Sequence, residues 1–216
     1  MTISTDRPNV IVVLTAPSGG GKTVITRALL ESDPSLAYSL STTSRPKRPD
    51  EIDGVSYNFV SREEFERLRA QGVFLESATV HGHLYGTRRD IIEKRLAEGR
   101  DIIMDIDVQG ARSMKRATDR AITIFILPPS LETLEKRLRA RASDREADVE
   151  RRLADARAEI AQASRFDYLV VNDVLEGTIA QIRAIIQAER RRASRQRIVC
   201  EGEGELDGIY PKAQTG

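Results

Sequence analysis

The stretch Ala16-Pro17-Ser18-Gly19-Gly20-Gly21-Lys22-Thr23 has the residue types and spacing needed to hold a polyphosphate. It follows the pattern G-x-x-x-x-G-K-[ST], with Ala16 in place of the first glycine. Consecutive glycines let backbone N–H groups turn inward, making an anion-binding concavity that ends at a helix N-terminus. Lys22 brings a mobile positive charge to the terminal phosphates, and Thr23 offers a hydroxyl to Mg²⁺. The bland alternative is a flexible Gly/Ser turn without chemistry. Against it stands the context, a buried apolar run before the loop and a helical pattern after it. The loop therefore points to a nucleoside triphosphate and is silent on the reaction.

Other residues could serve a second anion. Arg45 and Arg48 stand three apart on a Pro-punctuated segment, with Tyr57 nine residues further on. Two guanidinium forks and a phenol could clamp a phosphate. Two surface arginines in a loop are the plainer reading, and both stay open. Asp105 and Asp107 end an apolar run, "DIIMDID", where strand alternation puts them on one face. That end of a parallel strand faces the ligand crevice, so Asp105 is a candidate Mg²⁺ carboxylate acting through water. Capping of the next helix is the alternative. Arg137 and Arg141 lie four apart on one helix face, and Arg152 follows the polar stretch "ASDREAD", which reads as a mobile, hairpin-like lid. Arg139, Arg145 and Arg151 read as solvated charge. His81 and His83 have no third ligand nearby in sequence and read as surface or packing residues.

These residues need a scaffold. Continuous apolar runs at Asn9–Thr15, Asp101–Asp107, Ile122–Pro128 and Asp167–Asp173 predict strands buried on both faces of a parallel sheet. Helices are expected at Lys22–Glu31, Thr87–Glu98, Leu131–Arg141, Val149–Arg165 and Leu175–Arg195. Between Ser35 and Gly86 the pattern changes to short strands, turns and one helix. That helix opens on the capping box Ser61-x-x-Glu64 and closes on Gly72. The fold class is α/β: a three-layer P-loop core over residues 9–34 and 87–197, an inserted α+β lobe at 35–86 and a lid at about 139–152. The polar, glycine-rich end, 198–216, is expected to be disordered.

The bulk numbers exclude some classes. The 216 residues carry 34 Lys and Arg against 33 Asp and Glu, a net charge of +1, so a nucleic-acid partner is not indicated. The local exception, "ERRRASRQR" (Glu189–Arg197), reads as a solvated helix face. One cysteine, Cys200, rules out an intrachain disulfide and suits a reducing compartment. No apolar run reaches the roughly 18 residues of a membrane helix, and the N-terminus lacks a signal-peptide core. The expectation is a cytoplasmic protein without a membrane partner; a homo-oligomer is left open.

"APSGGGKT", "STTSRPKRPDEIDGVSY", "FLESATVHGHLYGT", "DIIMDIDVQG", "FILPPS" and "VVND" occur in this order. Together they resemble the guanylate kinase family, over about Asn9 to Arg197. The resemblance implies transfer of the γ-phosphoryl group of ATP to GMP, with Mg²⁺, in purine nucleotide metabolism. It implies that 35–86 is the GMP lobe, with Arg45, Arg48, Tyr57 and Tyr85 on the phosphate. Glu76 would read the guanine, helped by Ser41, Thr87 and Asp107. Arg137, Arg141 and Arg152 would bridge the phosphates of both nucleotides when the lid closes. Asn172 would sit at the rim of the adenine pocket, although a strand-end cap explains it equally well. The family tolerates alanine at the position of Ala16 but often has glycine where this chain has Ala142, which would stiffen the lid. Two other functions remain open: a P-loop kinase of a sugar phosphate, and a non-catalytic scaffold domain that binds phosphopeptides.

Overall fold

The computed structural model describes residues 2–80, 82–140 and 146–201. In chain order the elements begin with β1 (Thr2–Asp6), β2 (Ile11–Thr15), α1 (Lys22–Ser32), β3 (Leu36–Tyr38), β4 (Thr42–Thr43) and β5 (Asn58–Phe59). They continue with α2 (Arg62–Ala70), β6 (Phe74–Val80), β7 (His83–Arg88), α3 (Arg89–Ala97), β8 (Asp101–Asp105) and α4 (Val108–Ala117). Then come β9 (Ala121–Leu127), α5 (Leu131–Arg139), α6 (Glu146–Ile160), β10 (Tyr168–Val171), α7 (Leu175–Arg191) and β11 (Arg197–Glu201).

The core sheet runs β10-β9-β2-β8-β3, with every pairing parallel. A central parallel strand is covered on both faces, which is why "IVVLT" of β2 is apolar almost throughout and buried at every position. On one face Val10, Val12 and Leu14 meet Ile25 and Leu29 of α1 and Ile182 and Ile186 of α7. On the other, Ile11, Val13, Ile102 and Met104 meet Ile92 of α3 and Ala111 and Met114 of α4. Burial of each such side chain stabilises by about 1.5–3 kcal/mol, so this three-layer sandwich sets the rigid frame for the loops at the strand ends.

A second sheet, β5-β4-β7-β6, forms the inserted lobe. α2 closes over it, with Phe65 stacked on Phe74 at 4.5 Å between ring centroids. Ser61 caps that helix, its hydroxyl accepting from the Glu64 amide at 3.1 Å as the capping box predicts.

The boundaries differ from expectation in several places. β3 belongs to the core sheet, paired with β8, so the lobe does not begin at Ser35. β7 runs to Arg88, so Thr87 lies on the lobe sheet and the following helix starts at Arg89. The helix α4 was not expected, although Val108, Ala111 and Met114 recur at the three-residue spacing of a buried helix face. Within the lid region, 146–152 is already helix α6, in keeping with its Ala, Glu and Arg content. Arg141, Ala142 and Arg145 lie outside the described residues, as do His81 and positions 202–216. Ile198–Glu201, placed in a disordered tail by composition, instead pair antiparallel with β1.

The basic run before that strand is solvated only in part: Arg191, Arg192 and Arg197 are exposed, but Glu189 and Arg190 are not. Arg190 is buried, donating from Nε to Asp101 Oδ2 at 2.7 Å and pairing through NH1 with Asp33 at 2.8 Å. Asp101, fully buried, also accepts from the Val10 amide and from both terminal nitrogens of Arg7. Glu189, buried beside them, takes Arg192 and Arg195. Arg190 thus ties α7 to Asp101 of β8.

Candidate active site

The phosphate loop leaves β2 and enters α1 as the motif requires. Gly19 and Gly21 adopt φ of +85° and +91°, a region that L side chains rarely visit. At Gly20 an added Cβ would lie 2.7 Å from Ala16 Cβ and 2.9 Å from the Pro17 carbonyl oxygen. Ala16 itself is buried, so a small residue there suffices, and its carbonyl accepts from Lys22 Nζ at 2.8 Å. The turn is therefore backbone-determined rather than merely flexible.

Asn172 comes to this loop from behind. It is buried, donates from Nδ2 to the Gly20 carbonyl at 2.9 Å and takes Thr178 Oγ1 on Oδ1 at 3.2 Å. An added Cβ at Gly21 would sit 2.6 Å from the same Nδ2. Asn172 is a buried brace of the phosphate loop. Leu134 and Leu138 of α5 approach Gly19, and Arg137 on that helix reaches the Asn172 carbonyl at 3.5 Å.

The loop shares a cavity of about 350 Å³ with the lobe. Ala16 to Val24 line it from the loop and Ser41, Tyr57, Glu76 and Tyr85 from the lobe, and Asp105, Asp107 and Gly110 line it too. Register explains the key pair. Glu76 of β6 stands opposite Thr87 of β7, and Glu76 Oε1 accepts from Thr87 Oγ1 at 2.7 Å. Among the described residues Glu76 Oε2, also buried, has no hydrogen-bond partner. Burial, chiefly, and the nearby charge of Asp107 push the Glu76 carboxyl up to about 7. Gly110 keeps the space open: a Cβ there would meet Asp107 Oδ1 at 3.1 Å and Glu76 Oε2 at 3.4 Å.

The two aspartates do not share a strand face, because β8 ends at Asp105. Asp107 is instead the N-cap of α4, its Oδ1 accepting from the Gly110 amide at 2.9 Å. The capping alternative holds for Asp107, yet both carboxylates line the cavity. Asp105 Oδ1 accepts from Tyr38 Oη at 2.5 Å, and burial raises its carboxyl above the usual range, opposed by Tyr38 and Lys22. Among the described residues no group of three or more His, Cys, Asp and Glu could hold a metal. Thr23 and Asp105 are hard oxygen donors at one cavity, which fits a divalent cation that takes its remaining ligands from phosphates and water.

A second cavity, about 570 Å³, adjoins the first through Ser18, Tyr85 and Glu159. Arg45, Arg48, Arg151 and Arg152 line it. Arg45 is held on several sides: Nε to Tyr85 Oη at 3.1 Å, NH2 to Glu51 at 2.6 Å, and its guanidinium 5.5 Å from the Tyr57 ring centroid. The paired carboxylate of Glu51 also accepts from the Arg48 amide at 2.8 Å. Arg139, by contrast, pairs on the surface with Glu135 and Glu146.

A family model described as guanylate kinase matches residues 8–189. The chain belongs to the guanylate kinase family. It is 50% identical over 192 residues to the guanylate kinase of Rhizobium meliloti, covering 88% of this chain and 87% of that one. To the guanylate kinase of Symbiobacterium thermophilum it is 47% identical over 185 residues, covering 86% and 88%. The crystal structure of guanylate kinase from Anaplasma phagocytophilum matches with a TM-score of 0.75 at 35% identity, covering 89% of this chain and 92% of that chain.

Several residues that line or brace the two cavities carry only a weak signal in the sequence. Glu51 sits in the arginine-rich turn and carried a legible signal, a carboxylate six residues after Arg45. Gly110, three residues after Asp107, carried another as an N-cap spacing. Arg151, read as solvated charge, lines the second cavity beside Arg152. Tyr38 gave no signal at all. No helix among the described residues is long and apolar enough to cross a membrane.

Proposed function

We infer that this chain transfers the γ-phosphoryl group of ATP to GMP, giving ADP and GDP. The observation that carries the reading is Glu76: a buried carboxylate with one oxygen unpartnered among the described residues, in the same cavity as a phosphate loop. The guanine edge offers N1–H and the 2-amino group to that carboxylate. Adenine offers an N1 lone pair, which would leave the oxygen unpaired. Sites built on such a hydrogen bond reject the wrong partner by about 10⁴–10⁵. Ser41, Thr87 and Asp107 surround the base on this reading, and Arg45, Arg48, Tyr57 and Tyr85 take the GMP phosphate.

The loop from Ala16 to Thr23 holds ATP, with Lys22 leaving the Ala16 carbonyl for the terminal phosphates. Thr23 directly and Asp105 through water would hold Mg²⁺, which when bound would supply charge neutralisation at the transferred group. Arg137 approaches from the α5 side and Arg152 from α6, with Arg141 between them in sequence. Their work is to offset repulsion between two anions and to exclude water. No general base is required, because the acceptor phosphate oxygen is already ionised. The setting is cytoplasmic, and both substrates are small molecules.

A scaffold domain would not need Lys22 or Thr23 at a donor site, and a sugar-phosphate kinase would not need Glu76. Lys22→Ala should leave GMP binding by calorimetry unchanged and stop transfer, and Glu76→Gln should abolish GMP turnover. Wild-type turnover in both variants would overturn the reading.

A further inference from the structure

β3 pairs with β8 in parallel register, Tyr38 opposite Ile103. Asp105, two residues beyond Ile103, falls on the same face, because strand side chains alternate. The long phenol of Tyr38 therefore has only to reach one step further along the neighbouring strand to meet Asp105. The hydrogen bond from Tyr38 Oη to Asp105 Oδ1, 2.5 Å long, is the result. Among the described residues it is the side-chain hydrogen bond that Asp105 accepts.

An aspartate χ2 torsion is broad and roughly two-fold, so a carboxylate at a strand end has no intrinsic orientation. We propose that Tyr38 is a positioning residue for the divalent metal: its phenol fixes one oxygen of Asp105 and so turns the other toward the water of a cation held with the ATP phosphates. Tyr38 touches neither nucleotide on this assignment. It is also the last core-sheet residue before the chain passes through Ser39 to the lobe strand β4, so the ring ties the metal carboxylate to the point where the acceptor lobe departs. Lys22 also acts on Asp105 by charge, from its place on the Ala16 carbonyl; on the proposed function it would turn to the ATP phosphates, leaving the phenol as the fixed partner.

The inference rests on the reading of Asp105 as the metal carboxylate, and the test separates the two. Mn²⁺ binding to the protein–ATP complex is measured by the loss of the free-ion paramagnetic resonance signal, for wild type, Tyr38→Phe and Asp105→Asn. Melting temperatures without ligand control for folding. Tyr38→Phe, which keeps the ring, should weaken Mn²⁺ about 10-fold, at the low end for outer-sphere partners. The half-saturating Mg²⁺ for turnover should rise by the same factor, with KM for GMP within twofold. If Asp105→Asn weakens Mn²⁺ and Tyr38→Phe does not, the positioning role is wrong although the metal reading stands. If neither variant moves Mn²⁺, both are wrong. A change in KM for GMP alone would move Tyr38 to the acceptor site and overturn the proposal.

Discussion

Glu76 Oε1 accepts a hydrogen bond from Thr87 Oγ1 at 2.7 Å, while Oε2 of the same carboxylate is buried and has no partner among the described residues. Burial pushes this carboxyl up to about 7, with Asp107 adding to the effect. The guanine edge needs the ionised form, so below pH 7 each binding event must release a proton. KM for GMP should therefore rise about tenfold per pH unit as the pH falls below 7, and be flat above it, while KM for ATP stays level. The folded state holds this proton over a range, between the ordinary carboxylate value and about 7, where the unfolded chain has lost it. Ligand-free stability should thus fall as pH rises through that window. Glu76→Gln should raise the ligand-free melting temperature at pH 8 by a few degrees, and scanning calorimetry against pH checks both signs.

The amide of Asn172 braces the phosphate loop across 152 residues of sequence. Asn172→Ala would leave the Gly20 carbonyl unpaired, costing about 1–3 kcal/mol of stability. KM for ATP should rise several-fold, with GMP binding unchanged by calorimetry. A variant that loses stability but keeps its ATP affinity would show that the brace serves the fold alone.

Arg45 is held by a fork geometry that lysine lacks, since it bonds Tyr85 through Nε and Glu51 through NH2. Arg45→Lys should raise KM for GMP at least tenfold. Glu51→Gln, which removes the charge that fixes the guanidinium, should raise it less. Steady-state kinetics with ATP saturating would measure both, and a lower KM in Glu51→Gln would mean that the carboxylate competes with the substrate phosphate rather than orienting Arg45.

Arg190 lies far in sequence from the site and ties Asp101, Asp33 and Ser35 together. Arg190→Met should destabilise by about 3–5 kcal/mol, because Asp101 would be left buried with part of its compensation gone. Urea unfolding reads this out. Michaelis constants for both substrates should not change.

What the sequence disclosed follows a physical rule. The loop Ala16–Thr23 was legible because its chemistry is local: glycines, a lysine and a hydroxyl within one turn. The sheet was legible because parallel strands buried on both faces leave continuous apolar runs. Glu76 was legible through its motif, but its unpaired oxygen depends on register with Thr87. The brace from Asn172, the phenol on Asp105 and the clasp at Arg190 depend on pairings across tens of residues, which no local pattern encodes. Composition misread Arg190 and Ile198–Glu201, since it counts charge and cannot see that a buried carboxylate or a partner strand waits for them. Asp107 misled for a smaller reason: the strand stopped two residues earlier than its apolar run suggested.

The central claim is that this site phosphorylates GMP and discriminates through the purine edge. A coupled assay of ADP release over GMP, AMP, UMP and dTMP at fixed ATP and Mg²⁺ tests it most directly. The account predicts a kcat/KM for GMP about 10⁴-fold or more above that for AMP, collapsing in Glu76→Gln. Turnover of AMP, UMP or dTMP faster than that of GMP would contradict it.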